Sequence, residues 1–310
     1  MNVELILLTP LLLLLIVLVF GFTGCTSFGR ADPDPEPAKK DPATPPGTPP
    51  AGPKYADIVK GTLGFVAHWP MNETAGATKA AAIGLTNVDG SYLGGAAPGG
   101  AGAFAHKEPM ANFATSLNGT TAYVEVPFSQ LLNVQNGLPF SVEVWVKPAG
   151  AIPAGTERIL ISSHNISAGG NQRGYEIALV GTGGAQATVR GRVFWTNAPG
   201  VTNVDITPTQ GSSTDWRHIV LTHNGGGPAG NKLGLYVSVA GVPGTTYQEQ
   251  AGAEYREVQA GGNGERPLRF GAGHLQAGGA EKFFAGLIDE VAFYHGALGK
   301  GDVEKHFQAF

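Results

Sequence analysis

The amino-acid sequence predicts an all-β protein: two antiparallel sheets packed as a sandwich, finished by a short C-terminal helix. Three observations predict it. Short alternating apolar segments recur along the chain, separated by Gly, Pro, Asn and Asp. Glycine, 47 of 310 residues, is spread without a collagen-like period, as tight turns between short strands require. Only "KGDVEKHFQAF", with Asp302 near its start and Val303, His306 and Phe307 three to four apart, has helical spacing. The net charge of -4 and the 14% of charged residues exclude a nucleic-acid partner and a polybasic membrane surface.

In chain order, residues 1–24 form an export or anchoring segment, almost unbroken Leu, Ile, Val and Phe from Leu5 to Phe22. The single cysteine, Cys25, follows directly in "GFTGC". This resembles the lipobox of bacterial lipoproteins, which implies signal-peptide removal and lipidation of Cys25. The alternative is an uncleaved membrane helix, for which the apolar run is just long enough. Either way the body is tethered outside the cytoplasm, and the lipobox implies the surface of a bacterial cell envelope. A lipidated Cys25 leaves no thiol for disulfides or catalysis. Residues 25–55 complete the tether: "RADPDPEPAKKDPATPPGTPPAGPK", with nine prolines and nothing to bury, is an extended spacer of about 80 Å at about 3.1 Å per residue.

Residues 56–310 form one domain. Its strands are read from "GFVAHW", "TAYVEVP", "PFSVEVWVKP", "RILISS", "GYEIALVG", "ATVRGRVFW", "WRHIVLTH", "KLGLYVSV", "LRFGAG" and "FFAGLIDEVAFYHGAL". In the last, strict alternation puts Asp289 with Leu287, Val291 and Phe293, and Glu290 with Ile288, Ala292 and Tyr294. An acid among apolar side chains needs a partner, so Asp289 is catalytic, metal-binding or structural. Parity makes Glu290 the more dispensable of the two.

The segments "HWPMNETAG", "SLNGTTAYVEVP", "FSVEVWVKP", "DWRHIVLTHNG" and "GLIDEVAFYHGAL", in that order, resemble laminin G-like domains of the concanavalin A-like lectin/glucanase superfamily. The resemblance implies a jelly-roll sandwich serving as an extracellular binding module, often for carbohydrate and sometimes with calcium. It implies Asp289 as the first calcium ligand, with Asn118, Asn72 and Glu73 from early turns, although "TKAAAIG" has alanines where similar domains carry an Asp. It places Trp69, Trp145 and Trp216 in the core.

Catalytic residues are not legible. Related glucanases carry three acids at alternating positions of one strand, whereas "FSVEVWVKP" supplies only Glu143 and no Ser-His-Asp or Cys-His arrangement stands in its place. The eight histidines show no metal spacing, and His218 reads as a packed core residue. For ligand contact, Arg190, Arg192 and Phe194 share one strand face, either a glycan- or peptide-binding stripe or an ordinary solvated surface. The reading is a lipid-anchored, non-catalytic recognition or adhesion module whose partner is a glycan or, alternatively, a surface protein, with a divergent glycosidase as the third possibility.

Overall fold

The computed structural model describes residues 54–108, 112–167, 169–195, 200–226, 230–258 and 265–310. The expected signal segment 1–24, Cys25 and the proline-rich spacer up to residue 53 lie outside the described residues.

The fold is the predicted two-sheet jelly-roll sandwich, and its paired strands are antiparallel. Sheet A runs, in spatial order, Thr246–Ala251, Lys232–Val239, Arg217–His223, Phe140–Pro148, Ala285–Tyr294, Phe65–Trp69 and Ile83–Gly84, with Phe113–Asn118 and Ala97–Ala101 extending it beside Ala285–Tyr294. Sheet B runs Val201–Ile206, Thr188–Phe194, Gln172–Val180, Glu157–Ser162, Leu268–Phe270, Tyr123–Val126, Gly90–Leu93 and Lys79–Ala80. A small hairpin, Gly273–His274 with Ala280–Glu281, stands apart from both.

Period-two alternation builds the core. Val142, Val144 and Val146 of one sheet and Tyr175, Ile177 and Leu179 of the other face inward, around Trp69, Phe140, Phe270 and Phe293. Sheet A is buried on its other face too. There Trp145, Val220, Tyr236 and Tyr294 pack beneath two helices, α1 (Tyr55–Lys60) and α2 (Lys300–Gln308). The predicted C-terminal helix is therefore a lid on the sheet. Of the three tryptophans expected in the core, Trp69 sits between the sheets, while Trp145 and Trp216 belong to this second cluster. Tyr55, read from sequence as the end of the spacer, instead opens α1 and is buried.

The alternation expected through "GLIDEVAFY" fails at one point. A β-bulge between Asp289 and Ala292 gives Glu290 a φ of 50° and inserts one extra residue. Ile288, Val291 and Phe293 consequently all reach the inter-sheet core, while Leu287, Ala292 and Tyr294 pack with the helices. Asp289 pairs with Trp145, and Glu290 contacts His68, whose own cross-strand partner is Ala292. Both acids thus turn to the helix side and both are buried, at 0% and 2% exposure. The parity that made Glu290 dispensable does not hold.

Candidate functional site

The helix side of sheet A contains a buried polar knot centred on Glu143. Tyr55 Oη and His218 Nε2 donate to Oε1, the latter at 2.9 Å, while Tyr294 Oη and His306 Nδ1 donate to Oε2 at 2.9 and 2.8 Å. The Trp145 indole donates to the Tyr55 hydroxyl at 2.9 Å. Burial pushes Glu143 up, but His306 and His218 outweigh it and hold the carboxyl well below its usual range. The ligand-type atoms of Glu143, His218 and His306 lie within 4.8 Å of one another, which corrects the sequence reading of scattered histidines.

Proton counting fixes the state of this knot. Thr62 has one hydroxyl hydrogen and donates it to the Ile58 carbonyl at 2.9 Å. The 2.8 Å contact between Thr62 Oγ1 and His306 Nε2 must then be a bond donated by the ring. His306 carries hydrogens on both nitrogens and is an imidazolium paired with the Glu143 carboxylate. Burial lowers its pKa, but Glu143 outweighs that and raises it, in the same sense. The knot thus centres on a buried ion pair between His306 and Glu143.

The second acid cluster adjoins it. Asp289 accepts the Ala103 N–H at 2.8 Å and the Glu290 N–H at 2.9 Å; Glu290 meets His68 Nε2 at 2.6 Å and the Asn112 amide at 3.0 Å. Burial raises Glu290 well above the carboxylate range and lowers His68 to about 4, so that pair is held neutral. Burial, then the neighbouring Glu290, raises Asp289 likewise.

The other expected calcium ligands accept hydrogen bonds from the protein. Glu73 accepts the Ala81 N–H at 2.7 Å and the Tyr92 hydroxyl at 2.6 Å. Asn72 accepts the Phe113 N–H at 2.7 Å, and Asn118 Oδ1 caps the turn of Thr120, Thr121 and Ala122.

Sheet B presents a different surface away from the core. Lys79, Ser91, Glu125, Arg269, Ser162, Glu176, Arg192 and Asn203 stand opposite one another on eight successive strands, a polar row crossing the whole sheet. Alternating charges stitch it together: Arg269 to Glu125 at 2.8 Å, and Arg192 to Glu176 at 2.5 Å and to Glu157 at 2.7 Å. The Gly273–His274 hairpin covers the middle, where Arg269 donates to the carbonyls of Gly273, Gly278 and Gly279. Toward the sheet edge lie Arg192, Arg190, Asp205 and Asn203.

The expected stripe of Arg190, Arg192 and Phe194 lies on this face, but it is not open. Arg190 holds Asp205 with two bonds of 2.8 and 2.7 Å, and Phe194, 4% exposed, is stacked under the His164 ring at 3.7 Å. Arg192 spends its Nη2 on the two glutamates. Sequence alternation found the face correctly but could not show that ion pairs fill it. It also missed the Glu143 knot, whose signals were an acid inside the apolar "FSVEVWV" and a histidine on the apolar stripe of the last helix.

Comparisons place this architecture. The Laminin_G_3 family, of the concanavalin A-like lectin/glucanases superfamily, matches residues 118–304. No curated protein matches the sequence. Among solved structures, the binding domain of botulinum neurotoxin serotype D/C is similar with a TM-score of 0.51 at 10% identity, over 82% of this chain and 53% of that one. The serotype D ligand-binding domain in complex with N-acetylneuraminic acid gives 0.50 at 12% identity, over 82% and 52%. A structure of type C, whose cell entry depends on two ganglioside molecules, gives 0.51 at 11% identity, over 83% and 53%. The chain spans about half the length of these structures, and at such identities the likeness shows the fold alone. By its sequence match and its jelly-roll sandwich, the chain belongs to the Laminin_G_3 family of the concanavalin A-like lectin/glucanases superfamily.

Proposed function

We propose that this protein is a non-catalytic glycan-recognition module, carried on a proline-rich stalk and lipid-anchored through Cys25 at a bacterial cell envelope. The observation that supports it most is the polar row across sheet B. Saccharides are bound by dense, fixed arrays of hydrogen-bonding side chains, and toward the Val201–Ile206 edge this array presents exposed Asp205 and Asn203 beside half-buried Arg190. Ligands named with the structurally similar toxin domains, N-acetylneuraminic acid and gangliosides, point the same way.

The state of the acids supports a non-catalytic reading. Burial raises Glu176, and burial also raises Glu157 until Arg192 and Lys282 outweigh it and bring it down. That divergence looks like an acid and base pair, but both carboxylates are tied to the same Arg192 nitrogen, and Glu176 is 4% exposed. Neither is free to protonate a glycosidic oxygen or activate a water. A surface-protein partner is the second reading, favoured by the Thr246–Ala251 edge strand, exposed along its whole length.

A glycan array probed with the full chain in detergent tests the proposal, with Arg190→Ala/Asp205→Ala as the control variant. Retention of defined saccharides that the variant loses supports it. A blank array, or hydrolysis of β-glucans by the wild type, overturns it. The anchor is tested separately by fatty-acid labelling: Cys25→Ala should abolish label and leave the precursor unprocessed.

A further inference from the structure

The Arg217–His223 strand begins with a buried cation that has no ion pair among the described residues. Arg217 is 0% exposed; its Nη2 donates to Gln186 Oε1 at 2.7 Å, and its Nε and Nη1 have no hydrogen-bond partner among the described residues. Among the described residues no carboxylate forms an ion pair with it. Burial lowers its pKa; Asp215, two residues back, opposes that from a distance while spending Oδ2 on the Ser212 N–H. A guanidinium remains charged and carries five N–H donors, so a buried one with idle nitrogens is a binding group lacking its anion.

A groove lies along the strand that pairs with this residue. Val239, the cross-strand partner of Arg217, forms one wall of a space of about 260 Å³ together with Thr209, Gln210, Pro243 and Thr245. Gln186, which accepts from Arg217, also donates to the carbonyl of Gly211, the residue after Gln210 of the lining. Gly211, at φ 89°, lies so near Val239 that a Cβ there would come within 2.6 Å of Cγ1. None of the lining residues is charged; Thr209, Gln210, Thr245 and Thr246 stand there among valines and prolines.

We propose that this groove is a subsite for the carboxylate-bearing unit of an acidic saccharide, with Arg217 as the cation that fixes the carboxylate. Thr209, Gln210 and Thr245 supply neutral partners for its hydroxyls. The proposal rests on the glycan reading above and adds the ligand's charge class. Arg217 stands one residue behind the wall, so engagement requires the loop at 208–211 to lift from Val239. A carboxylate then exchanges water for charge-assisted bonds to nitrogens that otherwise have none.

Titration of the ¹⁵N-labelled full chain in detergent with glucuronic acid, glucose and sodium acetate, following the Arg217 Nε signal, tests this. Glucuronate and acetate are expected to move that signal, with glucuronate binding at least tenfold more tightly than glucose. Thr209→Trp, which fills the groove from an exposed position, should block glucuronate; Arg217→Gln should erase the preference for acid over neutral sugar. If Arg217→Gln fails to fold, the Trp variant still decides. Equal affinity for glucuronate and glucose, an unmoved Nε signal, or unimpaired binding by Thr209→Trp overturns the subsite. Neutral glycans retained on the array with Arg217 unmoved would remove this site alone. A blank array with acetate and glucuronate still moving Arg217 would remove the glycan reading and leave an anion site.

Discussion

His306 on the last helix and Glu143 on the central strand of sheet A form a fully buried ion pair, 2.8 Å apart, that joins α2 to the sheet. Tyr55 of α1 reaches the same carboxylate, so one acid holds both helices. Removing the cation strands a buried charge, which generally costs about 3–5 kcal/mol. His306→Ala should therefore lose several kcal/mol in urea unfolding at pH 7, and Glu143→Gln a comparable amount. The double mutant should lose clearly less than their sum, and additive losses would show that the two are not paired.

The pair also fixes the alkaline limb of stability. His306 has a raised pKa in the folded state, so its contribution is complete below the unfolded value of about 6.5 and is lost as pH rises through the folded value. Urea midpoints measured at pH 6, 8 and 9.5 should fall in the wild type. In His306→Ala that fall should be flattened, and an unchanged slope would locate the titration elsewhere.

The acid limb has other owners. Burial lowers His68 to about 4, His164 to about 4 and His274 to about 3, so each stays neutral in the fold while the unfolded chain takes up a proton below about pH 6.5. Stability from these groups is lost as pH falls, at about 1.4 kcal/mol per pH unit for each histidine across that window. Glu143, with its lowered pKa, adds its own loss only below the ordinary carboxylate range. His164→Gln or His274→Gln should each remove one proton from the slope between pH 6 and 5, read from unfolding at fixed urea.

At the bulge, Asp289→Ala and Glu290→Ala should both destabilise, by about 1–3 kcal/mol each, because each leaves buried partners unmet: the Ala103 and Glu290 N–H groups, or Asn112 and His68. Thermal melts with calcium and with chelator should coincide, since the oxygens of Asp289, Glu73, Asn72 and Asn118 already accept hydrogen bonds. A melting temperature several degrees higher with calcium would show that a cation competes for them.

The contrast between these residues shows what the sequence could reveal. Alternation alone put Arg190, Arg192 and Phe194 on one face of their strand, because a strand's side chains follow a fixed period. The same rule failed after Asp289, where the extra residue at Glu290 shifts parity without any Gly or Pro to announce it. The Glu143 knot escaped for another reason. Tyr55, His218 and His306 lie 75 to 163 residues away from Glu143, and only the folded topology brings their hydrogens to one carboxylate. Arg217 likewise reads as one more strand residue until burial exposes its lack of a partner.

The edge of the polar row separates binding from stability. Arg190 is partly solvated, and its pair with Asp205 is a surface ion pair, so Arg190→Ala should change stability by no more than about 1 kcal/mol. Phe194 is different: it is 4% exposed beneath the His164 ring, and truncating a buried Phe typically costs about 3–5 kcal/mol. If glycans bind at this edge, Arg190→Ala should lose retention with its melting temperature nearly intact, while Phe194→Ala should melt early whatever it binds. A Phe194→Ala protein with wild-type stability would mean that the ring is an exposed contact after all, and would return the aromatic to the ligand face.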